Sequence, residues 1–167
     1  MQKMMGLVRR CIEDYNMIEA GDRVAVGVSG GKDSLTLLVV LAALREYYPI
    51  KFDLAALSVD MGLGGMDFSP VAELCARLNV PYLVKKTEIG PIIFDYRKEK
   101  NPCSMCAKMR RGALNDLMRE QGYNKIALGH HYDDAVETFL MSLLYEGRIS
   151  CSEPVTYLSR TGITQIR

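Results

Sequence analysis

The feature that most constrains the fold is an apolar segment that passes through a glycine turn into a second apolar segment. Residues 23–28 read RVAVGV and hardly alternate between apolar and polar positions, which predicts a strand buried on both faces of a parallel sheet. Residues 34–47 are rich in Leu, Val and Ala and predict a helix. Parallel strands need such a crossover helix to reach their neighbours. This segment therefore predicts an α/β fold.

The same unit recurs along the chain. Further strands are predicted at residues 52–59, 81–86, 125–128 and 162–167, and further helices at residues 3–18, 68–78, 104–121 and up to about residue 145. Residues 87–103 and 148–161 show no clear periodicity and are predicted to be irregular. Because strands and helices alternate, we predict a doubly wound parallel sheet with helices on both faces.

Composition narrows the class of protein. The chain has 167 residues, the size of one domain, and a formal net charge of +1, which indicates neither a nucleic-acid-binding nor a membrane-binding protein overall. Its longest apolar stretch, residues 35–44, is too short to span a bilayer, and no signal peptide is recognisable. Five cysteines without regular spacing favour a reducing compartment. We expect a cytoplasmic protein without membrane contact. The chain ends where a strand begins, which predicts a single domain over residues 1–167, truncated at its C-terminus.

The turn between the first predicted strand and helix has the composition of an anion site. It reads Ser29, Gly30, Gly31, Lys32, Asp33 and Ser34. The glycines allow backbone amides to approach phosphate oxygens, and the helix N-terminus adds a favourable dipole. Lys32 supplies an ammonium, and the two serines supply hydroxyl donors. Neither the Walker pattern nor the dinucleotide-binding glycine pattern is present. The alternative is a plain strand-to-helix turn.

Two further groups carry ligand chemistry. Cys103 and Cys106 form a C-x-x-C pair, which suits zinc, an iron–sulfur cluster or redox chemistry. The turn after the strand at residues 125–128 contains Gly129, His130, His131, Asp133 and Asp134. Its carboxylates suit magnesium, its histidines suit a phosphate or a carboxylate, and capping of the next helix is the structural alternative.

These residues together resemble a known family. The Ser29–Ser34 string after an apolar strand is similar to the signature of the PP-loop ATP pyrophosphatases, of the adenine-nucleotide α-hydrolase fold. PCSMC at residues 102–106, RRG at residues 110–112 and ALGHHYDD at residues 127–134 resemble the two-thiocytidine branch of that family. The resemblance covers residues 7–148 and rests on three motifs in order.

The resemblance implies a tRNA-modifying sulfurtransferase. ATP with Mg²⁺ would adenylate the O2 of a cytidine, and sulfur would replace that oxygen. The resemblance implies further that ATP is bound by the phosphate loop, Gly129, His130 and Asp134, with Val59 and Asp60 near the adenosine. Lys32, Asp33, Arg110 and Asp133 are the candidate catalytic residues, and Asp133 and Asp134 the candidate magnesium ligands.

The resemblance also implies a 4Fe–4S cluster on three cysteines. Cys103 and Cys106 match two of its ligands, whereas Cys151 does not match the third. The implied partners are tRNA and a sulfur donor such as a cysteine desulfurase, with a homodimer as one arrangement. Lys85, Lys86, Tyr96 and the basic residues at 97, 98 and 100 form a candidate tRNA-facing patch, or else a solvated surface.

Three alternatives stay open at this point. A lysidine synthetase-like ligase also adenylates a tRNA cytidine but uses lysine as the nucleophile, and it gives the cysteine pair no role. A non-catalytic nucleotide-binding module would not need Lys32, Asp33 and the paired carboxylates together. A fold held by zinc would use Cys103 and Cys106 only structurally.

Overall fold

The computed structural model of the protein describes residues 2–97 and 102–167, which form a layered α/β fold. The strands are β1 (Arg23–Gly27), β2 (Asp53–Asp60), β3 (Tyr82–Lys86), β4 (Lys125–Ala127), β5 (Val155–Leu158) and β6 (Ile163–Ile166). The helices are α1 (Gln2–Asp14), α2 (Lys32–Tyr47), α3 (Ser69–Arg77), α4 (Ile89–Pro91), α5 (Pro102–Gln121) and α6 (Tyr132–Met141). Among these described helices, none has both the length and the apolar character needed to cross a bilayer.

The sheet has the strand order β3-β2-β1-β4-β6-β5. Every neighbouring pair is parallel except β5 with β6, which is antiparallel. The chain moves outward from β1 through β2 to β3, and then returns to the other side of β1 with β4. The order therefore reverses between β1 and β4, and the loops that follow these two strands diverge. In open α/β sheets ligands bind at this point.

Each face of the sheet is covered by helices. Val24 and Val26 of β1 point to the face that carries α1, α2 and α3. Ala25, between them, points to the opposite face, where it packs with Leu117 and Met118 of α5. All three β1 side chains are fully buried. The predicted sheet with helices on both faces is confirmed, and the non-alternating apolar sequence of β1 follows from burial on both sides.

The two segments predicted to be irregular are partly regular. Within residues 87–103, α4 continues into a π-helical turn at Ile92–Arg97, and α5 begins at Pro102. Within residues 148–161, β5 forms an antiparallel edge of the otherwise parallel sheet, so the prediction of an irregular segment is wrong at Val155–Leu158. The four residues of β5 are mostly half-exposed, and so they lack the apolar character that identifies the inner strands.

Candidate functional site

A cavity of about 630 Å³ opens at the carboxyl ends of the central strands, where the strand order reverses. Its walls are the loops that follow β1, β2 and β4, together with the middle of α5. The topology brings four sequence motifs to this place: the phosphate loop, the glycine-rich segment after β2, the Gly129 turn and the helix that carries the cysteine pair.

The phosphate loop is held in shape by its own serines. The Ser34 hydroxyl accepts a hydrogen bond from the Ser29 amide at 3.2 Å and donates to the Gly31 carbonyl at 3.0 Å. The Ser29 hydroxyl accepts from the Gly31 amide at 3.3 Å. Gly30 has a φ of +82°, a backbone conformation that favours glycine. The serines therefore shape the loop, in addition to being candidate donors to a ligand.

The N-terminus of α2 faces the cavity without a side-chain cap. The cap residue, Gly31, provides no side chain, so the first amides of the helix remain available to an anion. Lys32 and Asp33 pair with each other at the mouth, with Nζ 2.7 Å from Oδ1. Lys32 does not line the cavity, and 83% of its side chain is exposed. The Asp33 hydrogen bond and then the Asp33 charge raise the pKa of Lys32, which favours its charged ammonium form beside the loop.

Gly129 lets the loop after β4 lie directly against the phosphate loop. A Cβ atom at this position would be 2.9 Å from both the Asp33 carbonyl carbon and the Ser34 amide nitrogen. The next residue, His130, lines the cavity and is exposed to solvent on its other side. Burial and then the charges of Arg167 and Arg111 lower the pKa of His130, which favours its neutral form. A neutral imidazole retains a hydrogen-bond acceptor toward the cavity.

The two carboxylates after His131 have different surroundings. Asp134 accepts a hydrogen bond from the His131 amide at 2.8 Å and so caps α6, which lowers the pKa of Asp134. Asp133 is 80% exposed and has only a distant contact with His131, at 3.9 Å. The Asp134 carboxylate therefore caps α6, which is the structural alternative to metal binding. Asp133 is the more accessible of the two candidate magnesium ligands. Across residues 2–97 and 102–167 no three His, Cys, Asp or Glu side chains gather into a metal site.

The carboxyl end of β2 places Val59, but not Asp60, on the cavity wall. The Asp60 carboxylate accepts from the Gly62 amide at 2.9 Å and shapes the turn. It does not cap the following helix, where the Asp67 carboxylate accepts from the Ser69 amide at 2.9 Å.

Cys103 and Cys106 lie in the first turn of α5, three residues apart and thus on one side of the helix. Cys103 is exposed, and Cys106 is half-buried with its sulfur 3.5 Å from the Met61 sulfur. Met61, which follows β2, also lines the cavity, so the pair lies directly beside it. The other three cysteines belong to distant elements: Cys11 in α1, Cys75 in α3 and Cys151 near α6.

The cavity wall of α5 carries Arg110 and Arg111, and further along the buried Asn115. Arg110, the candidate catalytic cation, therefore faces the cavity. Asn115 and Gln165 of β6 also line it and were not among the residues predicted from the sequence. A polar residue in a helix or a strand carries no local signal of function; only the sheet order brings these two together.

The candidate tRNA-facing patch is only partly described. Lys85 forms an ion pair with Glu120, with a 2.7 Å distance between Nζ and Oε1, and Tyr96 is 84% exposed. Residues 98 and 100 lie outside the described part of the chain. The Lys85 pair agrees with the solvated-surface alternative at that residue.

Comparison with known proteins identifies a family and relatives of this chain. The family model described as PP-loop domain matches residues 5–152. The tRNA-cytidine(32) 2-sulfurtransferase of Geobacter metallireducens is 40% identical over 167 residues, which are 99% of this chain and 65% of that protein. The enzyme of the same name from Anaeromyxobacter dehalogenans is 41% identical over 162 residues, 96% of this chain and 56% of that protein. The chain thus spans between half and two thirds of these relatives' lengths.

A solved structure has a similar fold. The U34-tRNA thiolase NcsA from Methanococcus maripaludis, solved with its 4Fe–4S cluster, superposes with a TM-score of 0.72. The match covers 95% of this chain and 55% of the thiolase, at 24% sequence identity. At this level of identity the likeness concerns the fold.

Proposed function

Because this chain belongs to the PP-loop family of ATP-binding domains, we propose that it serves an ATP-dependent tRNA sulfurtransferase that converts cytidine to 2-thiocytidine. The observation that carries the proposal is a single cavity bounded by both the phosphate loop and the helix of Cys103 and Cys106. Activation of a base by ATP and its displacement by sulfur need these two chemistries side by side. Relatives at 40% and 41% identity are named for this reaction on cytidine 32.

ATP would bind across the carboxyl ends of β1 and β2. The uncapped amides of α2 and the Lys32 ammonium would hold its phosphates, and the adenine would lie near Val59. Mg²⁺ is usually held by phosphate oxygens and only one or two carboxylates. We assign this role to Asp33, which lines the cavity, and to the exposed Asp133, and this role does not require a three-residue metal cluster. Gly129 packs against the backbone of Asp33 and Ser34, so the loop that leads into α6 lies beside the N-terminus of α2.

The reaction proceeds by two displacements. The cytosine O2 attacks the α-phosphorus of ATP, and the bond to the β-phosphate breaks to release pyrophosphate. Hydrosulfide then attacks C2, the bond between C2 and the former O2 breaks, and AMP leaves with that oxygen while a proton passes to solvent. Lys32 and Arg110 stabilise the negative charge that moves onto the leaving groups. No electrons are exchanged in either step.

Cys103 and Cys106 fit part of an iron–sulfur ligand set. Their thiolates lie on one side of a helix turn, one exposed and one half-buried, and thiolate sulfur is the usual cluster ligand. The described residues bring no third cysteine to this place. A bound 4Fe–4S cluster with one open iron would supply an activated sulfide. The chain's own contribution is to hold these two thiols next to Met61, at the edge of the ATP cavity.

The proposed partners follow from the reaction. The tRNA delivers the cytidine, and a sulfur donor such as a cysteine desulfurase supplies the sulfide. We place the protein in the cytoplasm, where tRNA and ATP are available. A homodimer is the proposed assembly to be examined by light scattering.

The decisive experiment begins with protein purified without oxygen and analysed for iron, sulfide and zinc. It is then incubated with ATP, Mg²⁺, sulfide and a tRNA transcript carrying cytidine 32, and the nucleosides are analysed for 2-thiocytidine. We expect iron and sulfide in near-equal amounts and 2-thiocytidine as the product. Cys103→Ala should lose both the iron and the product while ATP still binds.

The matched control is Cys151→Ala, which removes an exposed cysteine remote from Cys103. It should retain metal and product. Zinc in place of iron, with unchanged thiolation in Cys103→Ala, would contradict a cluster role. A product that requires lysine instead of sulfide would indicate a lysidine synthetase-like ligase, and ATP binding without pyrophosphate release would indicate a nucleotide-binding module.

A further inference from the structure

Two buried side-chain amides line the cavity on the side of the sheet that carries α5. Gln165 of β6 is 5% exposed, and Asn115 of α5 is 9% exposed. Gln165 pairs in register with Ile126 of β4 and shares a sheet face with Ile163, which packs on α5. Buried amides normally find protein partners. Within the described residues the Asn115 side chain makes no hydrogen bond, and because Asn115 lines the cavity its amide is available to a ligand there.

Gln165 has a fixed orientation. We assign the amide of Gln165 from its hydrogen-bonding neighbours: because Arg167 only donates, the atom facing it is Oε1, which accepts from Nε of Arg167 at 2.9 Å. Arg167 is itself anchored, because its Nη1 donates to the Glu153 carbonyl at 2.6 Å and to the Thr156 hydroxyl at 3.2 Å. Since an arginine side chain only donates, Oε1 of Gln165 stays turned toward it. The NH₂ group of Gln165 is thereby left as a fixed donor toward the cavity.

A fixed donor distinguishes the two pyrimidines. Cytosine presents a ring nitrogen, N3, that accepts a hydrogen bond, next to an exocyclic amino group that donates. Uracil presents N3–H, a donor, next to a carbonyl acceptor. The Gln165 donor therefore pairs with cytosine N3 and opposes uracil N3–H, while the Asn115 carbonyl can accept from the cytosine amino group. Reading the exposed edge of an unstacked base is the usual means of recognising single-stranded RNA.

Resting on the proposed function, we infer that Gln165, held by Arg167, selects cytosine as the target base, with Asn115 as its second contact. Adenine has the same arrangement of a ring acceptor next to an amino donor, so the adenine of ATP is the second candidate ligand for these amides. The sheet order favours the target base. Gln165 lies on β6, three strand spacings or roughly 14 Å from β2, where the adenine is placed. The phosphate loop after β1 lies between the two positions.

The test measures single-turnover pyrophosphate release with tRNA transcripts that carry cytidine or uridine at position 32. The wild-type protein should favour cytidine by about 100-fold or more, because a mismatched buried donor is left unpaired. Gln165→Glu presents only acceptors and should reduce that preference at least about tenfold. Arg167→Met lets the Gln165 amide rotate and should also reduce the preference for cytidine over uridine. ATP affinity should change less than about twofold.

Gln121→Glu is the matched control, since it makes the same chemical change at the exposed end of α5. It should leave the cytidine-to-uridine ratio unaltered, and thermal melting verifies that each variant is folded. An unchanged ratio in folded Gln165→Glu would overturn the inference. A parallel loss of ATP affinity would overturn it too, by assigning the amides to adenine.

Failure of the proposed function gives a different result. If the wild-type protein releases no pyrophosphate with either transcript, the sulfurtransferase proposal falls. Equilibrium binding of the same two transcripts then decides the inference. Tighter binding of the cytidine transcript that is lost in Gln165→Glu supports it, and equal binding of both transcripts by the wild type overturns it.

Discussion

The amino ends and the carboxyl ends of β1 and β4 differ in how their polar groups are hydrogen-bonded. At the amino end, the Asp22 carboxylate accepts from Lys125 at 2.7 Å, from Asn124 at 2.7 Å and from the Glu19 amide at 2.6 Å. Lys125 also donates to the Met17 carbonyl at 3.0 Å. At the carboxyl end, the amides that begin α2 have no side-chain cap, and Lys32 is largely in solvent.

This difference separates stability from function along the same two strands. A buried charge is tolerated only when it is paired and hydrogen-bonded, and the amino end meets that condition. The carboxyl end leaves donors free, which costs little while water reaches them and provides binding energy when an anion arrives. Substitutions at the two ends should therefore have separable effects, on folding at one and on ATP chemistry at the other.

The largest effect is expected from Lys125→Met. The side chains of Lys125 and Asp22 are 10% and 6% exposed, so the substitution leaves a buried carboxylate without its cation. We expect a loss of about 3–5 kcal/mol in the free energy of unfolding, measured by denaturant titration. The double variant with Asp22→Asn should recover part of that loss. Equal stability of Lys125→Met and the wild type would contradict the view that this end maintains the fold.

The next effect is expected from Lys32→Ala at the opposite end. Because Lys32 is exposed and, among the described residues, pairs with its neighbour Asp33, the free energy of unfolding should stay close to that of the wild type. Pyrophosphate release should fall by about 10²–10³-fold, as for the loss of one positioned charge-stabilising donor. Lys51→Ala, which removes another exposed lysine, is the control. Normal pyrophosphate release in Lys32→Ala would remove the phosphate site from this loop.

The carboxyl end was the more predictable from the sequence. The phosphate loop and the Gly129 turn follow apolar strands directly, and their glycines and charged residues are local signals of an anion site. The central strands and both helical layers were likewise predicted, because β1 and α2 are apolar throughout. What the sequence left undecided was the use of each carboxylate, since capping and metal binding favour the same residue types at a helix start.

The long-range features could not be predicted in this way. The strand β5 is short and mostly half-exposed, and it is regular only because β6 pairs with it. Asn115 and Gln165 meet at the cavity because β6 lies beside β4, which no local pattern specifies. The ion pair of Asp22 is also a long-range contact, because Lys125 lies more than a hundred residues further along the chain. Each of these features depends on strand order.

A smaller effect is expected from Gly129→Ala, which tests the contact between the two loops. The new Cβ would be 2.9 Å from backbone atoms of Asp33 and Ser34, and backbone cannot move aside as a flexible side chain does. We expect a loss of about 1–3 kcal/mol, divided between unfolding free energy and ATP affinity. Gly112→Ala is the control: its Cβ would meet nothing within 4 Å, and alanine favours a helix. Unchanged ATP affinity and stability in Gly129→Ala would show that the loops are not in close contact.

The smallest expected effect is the pH dependence of the stability that Asp22 contributes. Burial alone raises the pKa of this carboxyl, but hydrogen bonds from Lys125, the Glu19 amide and Asn124 outweigh it, so the pKa is lowered on folding. A carboxyl with a lowered folded-state pKa stabilises the protein above its unfolded pKa, about 3.9, and loses that contribution as the pH falls through the folded-state pKa. The wild type should therefore exceed Asp22→Asn in melting temperature at pH 7, and the difference should narrow below about pH 4. A difference that stays constant down to pH 3 would mean that Asp22 contributes through its shape and not its charge, and the amino end would then lose its electrostatic distinction from the phosphate loop.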